Sequence, residues 1–254
     1  MPRLGIVSRL LLAAAHLFAA SALILVAGGA AHATIIIDNG LDCSNPGNVI
    51  ANNTGDGVWV YDAPGGGPTE VCLVDGGFLG GSGDLGIFDS SSVTMSGGTV
   101  GDAMTAHDSS IFTMSGGSVP GGLYSQDYAS VTVSDGLVES TLFASGESSL
   151  MIQDGTLAVS SMFARDSSTI TIVGSDFEVD EAPVPLGDLT ALRGTLTGTL
   201  PSGTSFYSVF YQGGASCGAT TCTGTITLVP EPATALLLGL GLAGLAVRWR
   251  RGAL

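Results

Sequence analysis

The chain has 254 residues, of which 45% are hydrophobic and only 11% charged, and its 7 basic and 22 acidic side chains leave a formal net charge of −15. There is no lysine, which excludes recognition of a phosphate backbone, since that runs on Lys and Arg, and argues against attachment to anionic lipid. The length admits one sizeable core.

Arg3 and Arg9 precede an apolar stretch from Leu10 to Ala30, and Ala31-His32-Ala33 supplies the small residues of a signal-peptidase site, with Ala31 and Ala33 in the A-x-A positions. Residues 1–33 therefore read as a secretory signal peptide, with the mature chain starting at Thr34. From Thr34 to Val229 the chain carries 21 acidic residues against Arg165 and Arg193, a formal −19. Residues 34–70, with Ile35 to Ile37 and Val58 to Tyr61, read as an N-terminal cap.

Between residues 71 and 179 a repeat sets the fold. Gly98, Gly117, Gly136 and Gly155 stand 19 apart. Five residues before the glycine come Val93, Phe112, Val131 and Leu150; three before it come Met95, Met114, Val133 and Ile152. Two after it stand Val100, Val119, Val138 and Leu157, and six after it Met104, Leu123, Leu142 and, one place late, Met162. Gly174 continues the count while Ile170 and Ile172 sit one place late, so a one-residue insertion is placed between Gly155 and Met162. Residues two apart share one face of a strand, so each unit offers two or three short strands with a common inward face. A period near 20 built of strands and turns is a solenoid. An earlier copy is seen in Val71, Leu73, Asp75, Gly76 and Phe78, followed by a Gly-rich insertion at Leu79 to Gly83. The expected fold is all-β: a single-stranded parallel β-helix of about five coils of about 19 residues, roughly 25 Å long, with caps at both ends. It resembles the repetitive passenger and adhesin-like β-helices of bacterial surfaces.

His107 falls in a repeat turn beside Asp108 and reads as a solvated turn residue rather than a catalytic base. Asp135 and Asp154 share a column, and a glycosidase needs only two carboxylates, but Asp-Gly is also ordinary turn chemistry. Asp89, Asp108, Asp127 and, after the one-residue shift, Asp166 form a second acidic column that Gly146 interrupts. Carboxylates stacked about 4.8 Å apart repel by about 1 kcal/mol per pair in water. Splaying into solvent with bonds to turn amides relieves this, and so does Ca²⁺. No cofactor is assigned, with Ca²⁺ at this row the one candidate ion.

The segment from Asp180 to Pro185 reads as a boundary, and residues 180–228 as C-terminal cap strands in which Thr alternates with apolar residues. All four cysteines are placed in the caps. Of the three connectivities they permit, Cys43 with Cys72 and Cys217 with Cys222 keeps each bridge local, as suits an oxidising compartment.

The chain then runs Val229-Pro230-Glu231-Pro232, an uncharged apolar stretch from Ala233 to Val247, and Arg248-Trp249-Arg250-Arg251. The stretch suits a short membrane helix, and Arg248, Arg250 and Arg251 hold that end in the cytoplasm. Pro230, Glu231, Pro232, the helix and the arginines together resemble the PEP-CTERM sorting signal of Gram-negative bacteria. The resemblance covers residues 229–254 and implies recognition by an exosortase, passage through the inner membrane with transient anchoring by the helix, and delivery to the envelope, surface or extracellular matrix. It also implies a setting of exopolysaccharide and biofilm. Because catalytic constellations are mostly absent, the protein is expected to act there as a structural or adhesive component rather than as an enzyme. A carbohydrate-active enzyme, glycosidase or polysaccharide lyase, on the same scaffold is the alternative.

Overall fold

The computed structural model describes residues 34–231, except 53, 55–56, 81–83 and 218–219. Ala31 and Ala33 of the expected signal peptide, Pro232, the helix expected over 233–247 and Arg248, Arg250 and Arg251 lie outside the described residues.

Short strands with small or apolar residues at alternate places pair best with their own kind one period away, and here they do so in parallel. Each central coil contributes three strands, one to each of three faces. On the first face Val71, Val93, Phe112, Val131, Leu150, Ile170 and Ile226 are partners in successive coils. On the second, Leu79 pairs with Val100, and Val138 with both Val119 and Leu157. On the third the inward row runs Ile35, Val58, Leu85, Met104, Leu123, Leu142, Met162 and Phe210. Nearly all of these side chains are buried, most of them fully, and they form one continuous core.

The expected all-β solenoid is therefore present, and its extent needs correction: it has about seven turns rather than five. Ile35–Ile37 and Val49–Ile50, placed in the N-terminal cap, are already coil strands, parallel to Val58–Val60 and to Glu70–Leu73. The count fell short because the early coils carry extra loop residues. Val58 and Leu85 are direct partners although 27 residues apart, and that spacing conceals the period. Leu79 rather than Phe78 fills the inward column, since one more residue separates Leu73 from Leu79 than Met95 from Val100. The insertion expected between Gly155 and Met162 is Ser160, which lies where Ser140 pairs with Val159 but Thr141 with Ser161.

The corners explain why particular residues recur. Gly98, Gly117, Gly136 and Gly155 all have positive φ, between 78° and 116°, and a Cβ on Gly136 would lie 2.9 Å from the Gly117 carbonyl oxygen. Both conformation and contact demand glycine. Gly174 does not occupy this slot; it is an extended residue paired with Pro230. At the corner between the third and first faces the left-handed slot holds Asp89, Asp108, Asp127 and Asp166, with φ between 55° and 59°, and Gly146 at 73°. Asp, Asn and Gly are the residues that visit this region most readily, so Gly146 fills the same corner rather than interrupting it. The carboxylates have a further role: Asp108 Oδ2 accepts from the Asp89 amide at 3.2 Å, Asp127 Oδ2 from the Asp108 amide at 3.3 Å, and Asp166 Oδ2 from the Gly146 amide at 3.1 Å. Each acid is thus tied to the corner of the coil before it.

The C-terminal region both extends and covers the stack. Val209–Tyr211 lies parallel on Ser161–Phe163, and Thr225–Pro230 parallel on Thr169–Gly174. Arg193–Thr199 and Ser205–Tyr211 form an antiparallel hairpin over the end, and Gly187–Asp188 shields part of the last strand. At the other end Cys43 and Cys72 are joined in a disulfide across 29 residues. Cys72 belongs to the coil strand Glu70–Leu73 and not to a cap.

Val131 is fully buried between Phe112 and Leu150, so Val131→Asp, which strands a charge in the core, should remove several kcal/mol and abolish the cooperative urea transition. Asp108→Ala should lose about 2 kcal/mol, because alanine is strained at this corner and offers no acceptor, whereas Asp108→Asn keeps both properties and should match or exceed the wild type. Equal losses for the two variants in urea titrations would rule out this account of the corner.

Candidate functional site

The described part of the C-terminal motif emerges directly from the fold. Strand Thr225–Pro230 buries Ile226 and Leu228, and its last two residues, Val229 and Pro230, pair with Val173 and Gly174. Proline has no N–H to donate and is confined to strand ends and edges, so ladder growth stops at Pro230. Glu231 follows immediately and is exposed. No loop intervenes between the last coil and the Pro-Glu step. No helix among the described residues is long and apolar enough to cross a membrane.

The other residues singled out from the sequence are held in turns and bridges. Cys222 is disulfide-bonded; it lies in a small hairpin whose backbone pairs Ala215 with Cys222 and Cys217 with Thr220. Asp135 Oδ1 accepts from the Gly136 amide at 2.7 Å. Asp154 Oδ1 accepts from Gly155 at 2.8 Å and from the Ser202 amide at 3.0 Å. Burial raises the Asp154 pKa, but the bonds from Ser202 and Gly155 outweigh it and hold the carboxyl below its ordinary value. Asp135 caps its own turn, and Asp154 ties its turn to the distant one at Ser202. Asp89, Asp108 and Asp127 do not bring three ligand atoms within 4.8 Å of one another; among the described residues Cys43, Glu70 and Cys72 do, and two of those are joined to each other.

The most distinctive surface lies on the third face and escaped the sequence reading. Along its outward row Trp59, Gly86, Thr105, Tyr124, Phe143, Phe163 and Tyr211 are partners in successive coils. Where that row is small, at Gly86 and Thr105, the adjoining row supplies Phe88 and His107. Every one of these seven coils therefore presents a ring. Tyr61 stacks on Phe88 with centroids 4.5 Å apart, and Phe88 on His107 at 4.9 Å. Trp59 leans on Phe88 at 5.8 Å, Tyr124 on Phe143 at 5.8 Å, and Phe163 stacks on Tyr211 at 5.1 Å. The Arg165 guanidinium lies 5.2 Å from the Phe143 centroid.

His107, read from the sequence as a solvated turn residue, is a member of this ring stack, and its Nδ1 sits 3.8 Å from Asp127 Oδ2. The acidic corner runs beside the stripe. Burial, and after it the Asp89 carboxylate, push the Tyr61 phenol above its ordinary pKa. Asp62 accepts from Ser90 Oγ at 2.5 Å and Ser91 Oγ at 2.8 Å; burial opposes ionisation there, and those bonds override it. A usable signal was present, because Tyr124 and Phe143 stand seven residues after their turn glycines and Phe163 joins them once Ser160 is counted.

No curated protein and no solved structure matches the chain. The family model described as the PEP-CTERM protein-sorting motif matches residues 228–251, which implies export, recognition by an exosortase and delivery to the envelope or surface. The match begins inside the last coil strand, at the partner of Ile172, so this chain is an acidic parallel β-solenoid carrying a PEP-CTERM protein-sorting motif at its C-terminus.

Proposed function

We propose that this protein is a structural or adhesive component of the cell envelope or extracellular matrix of a Gram-negative bacterium, working in contact with exopolysaccharide. In this reading its leader carries it through the inner membrane, the segment 233–247 anchors it transiently, and an exosortase acts at Pro230, Glu231 and Pro232. The observation that carries the proposal is the sorting motif joined without a loop to a stacked, acidic rod. A rod of repeated coils with a regular outer surface suits binding along a polymer rather than turnover in a pocket. The glycosidase alternative rests on Asp135 and Asp154, and both carboxylates are engaged in capping turns.

Replacing Pro230, Glu231 and Pro232 together with alanine in the native host should leave an unprocessed chain in the inner-membrane fraction and deplete it from the surface. Processing and surface delivery at wild-type levels would remove the proposal. Incubating the full chain with a panel of polysaccharides tests the alternative, because release of reducing ends or unsaturated sugars would establish an enzyme.

A further inference from the structure

The aromatic stripe calls for an explanation of its own. One outer face carries a ring in each of seven successive coils, in a chain that is only 6% aromatic. Trp59 is 41% exposed although it is the largest side chain of its strand. The backbone is shaped to suit the rings: a Cβ on Gly86 would lie 2.8 Å from the Phe88 ring and 3.1 Å from that of Trp59. Seven ring-bearing coils at about 4.8 Å per step make a track roughly 29 Å long.

We propose that this stripe is a docking surface for an extended polysaccharide bearing free amino groups, an amino-sugar polymer. The inference deepens the matrix reading above and rests on it. Three features select this occupant. The stacked rings cover one another's faces and turn their C–H edges outward beside the exposed Trp59, a continuous apolar strip that takes the C–H face of a pyranose. Asp62, Asp89, Asp108, Asp127 and Asp166 run alongside at one per coil, except where Gly146 takes the corner, and ammonium groups complement such a row. The repeat of one coil is close to the advance of one β-linked sugar in an extended chain, so every second sugar, which presents the same face, meets equivalent surroundings two coils on. A formal −19 between Thr34 and Val229 repels polymers of uronic acids.

The test uses the full chain in detergent with Trp249→Phe, which leaves Trp59 as the one tryptophan. Adding a glucosamine hexamer should change Trp59 fluorescence saturably. The N-acetylated hexamer should bind at least tenfold more weakly, and a galacturonate oligomer should not bind. Tyr124→Leu and Phe143→Ala should each weaken binding about tenfold or more while the far-UV spectrum is retained, whereas Ile111→Ala, on the first face, should leave it within twofold. Raising the salt should weaken binding, because exposed ammonium–carboxylate pairs are screened.

The proposal fails if the glucosamine hexamer gives no saturable change, if the uronate or acetylated oligomer binds as tightly, or if Ile111→Ala matches the stripe variants. Tighter binding of oligolysine than of the glucosamine hexamer would also overturn it, in favour of a basic peptide partner. Surface delivery of the wild-type chain, measured in the host, separates this failure from that of the matrix reading: a delivered protein with no glycan binding loses the docking surface alone.

Discussion

Each coil of this protein is held by backbone hydrogen bonds to the coil before it, and those bonds form only if every corner returns the chain to the same place. That requirement falls on a few backbone positions per coil. Two corners use left-handed residues, a conformation that most side chains resist. Glycine fills one of them, and the other is Asp in four coils and Gly146 in a fifth. A parallel ladder tolerates no drift, because a slip of one residue turns an inward row outward. Ser160 shows how an extra residue is absorbed, pushed out at a single irregularity while the rows on either side keep their partners.

The acidic character of the rod follows in part from that corner. Asp serves where the backbone is left-handed and a carboxylate can reach the amide one coil back. The row of negative charge is thus a by-product of stacking as well as a surface property, and the amides it accepts from offset the mutual repulsion of neighbouring acids. With the interior and the corners committed to the ladder, the outward positions of the three faces are left to be shaped for partners. On the third face they are filled with rings.

Much of the fold was legible because inward columns obey one period. Val131 and Met114 could be assigned to the core from spacing alone, and so could the insertion near Ser160. The N-terminal coils could not, because long connections between Val58 and Leu85 break the count, and a two-residue strand such as Val49–Ile50 is too short to show alternation. The sorting motif was readable since its chemistry is local: prolines, an acid, an apolar run and arginines in order. The ring stripe is non-local. Trp59 meets Phe88, and Phe163 meets Tyr211, only through coil register, and Tyr211 arrives from a hairpin beyond the repeats.

Pairing of Val229 and Pro230 with Val173 and Gly174 also fixes where the chain leaves the rod. A domain that ended in a flexible linker would have no set exit direction. Here Glu231 follows a paired coil residue directly, so the exit direction is that of strand Thr225–Pro230 on the first face. The strand register that places every inward row therefore also places the point from which the sorting segment departs.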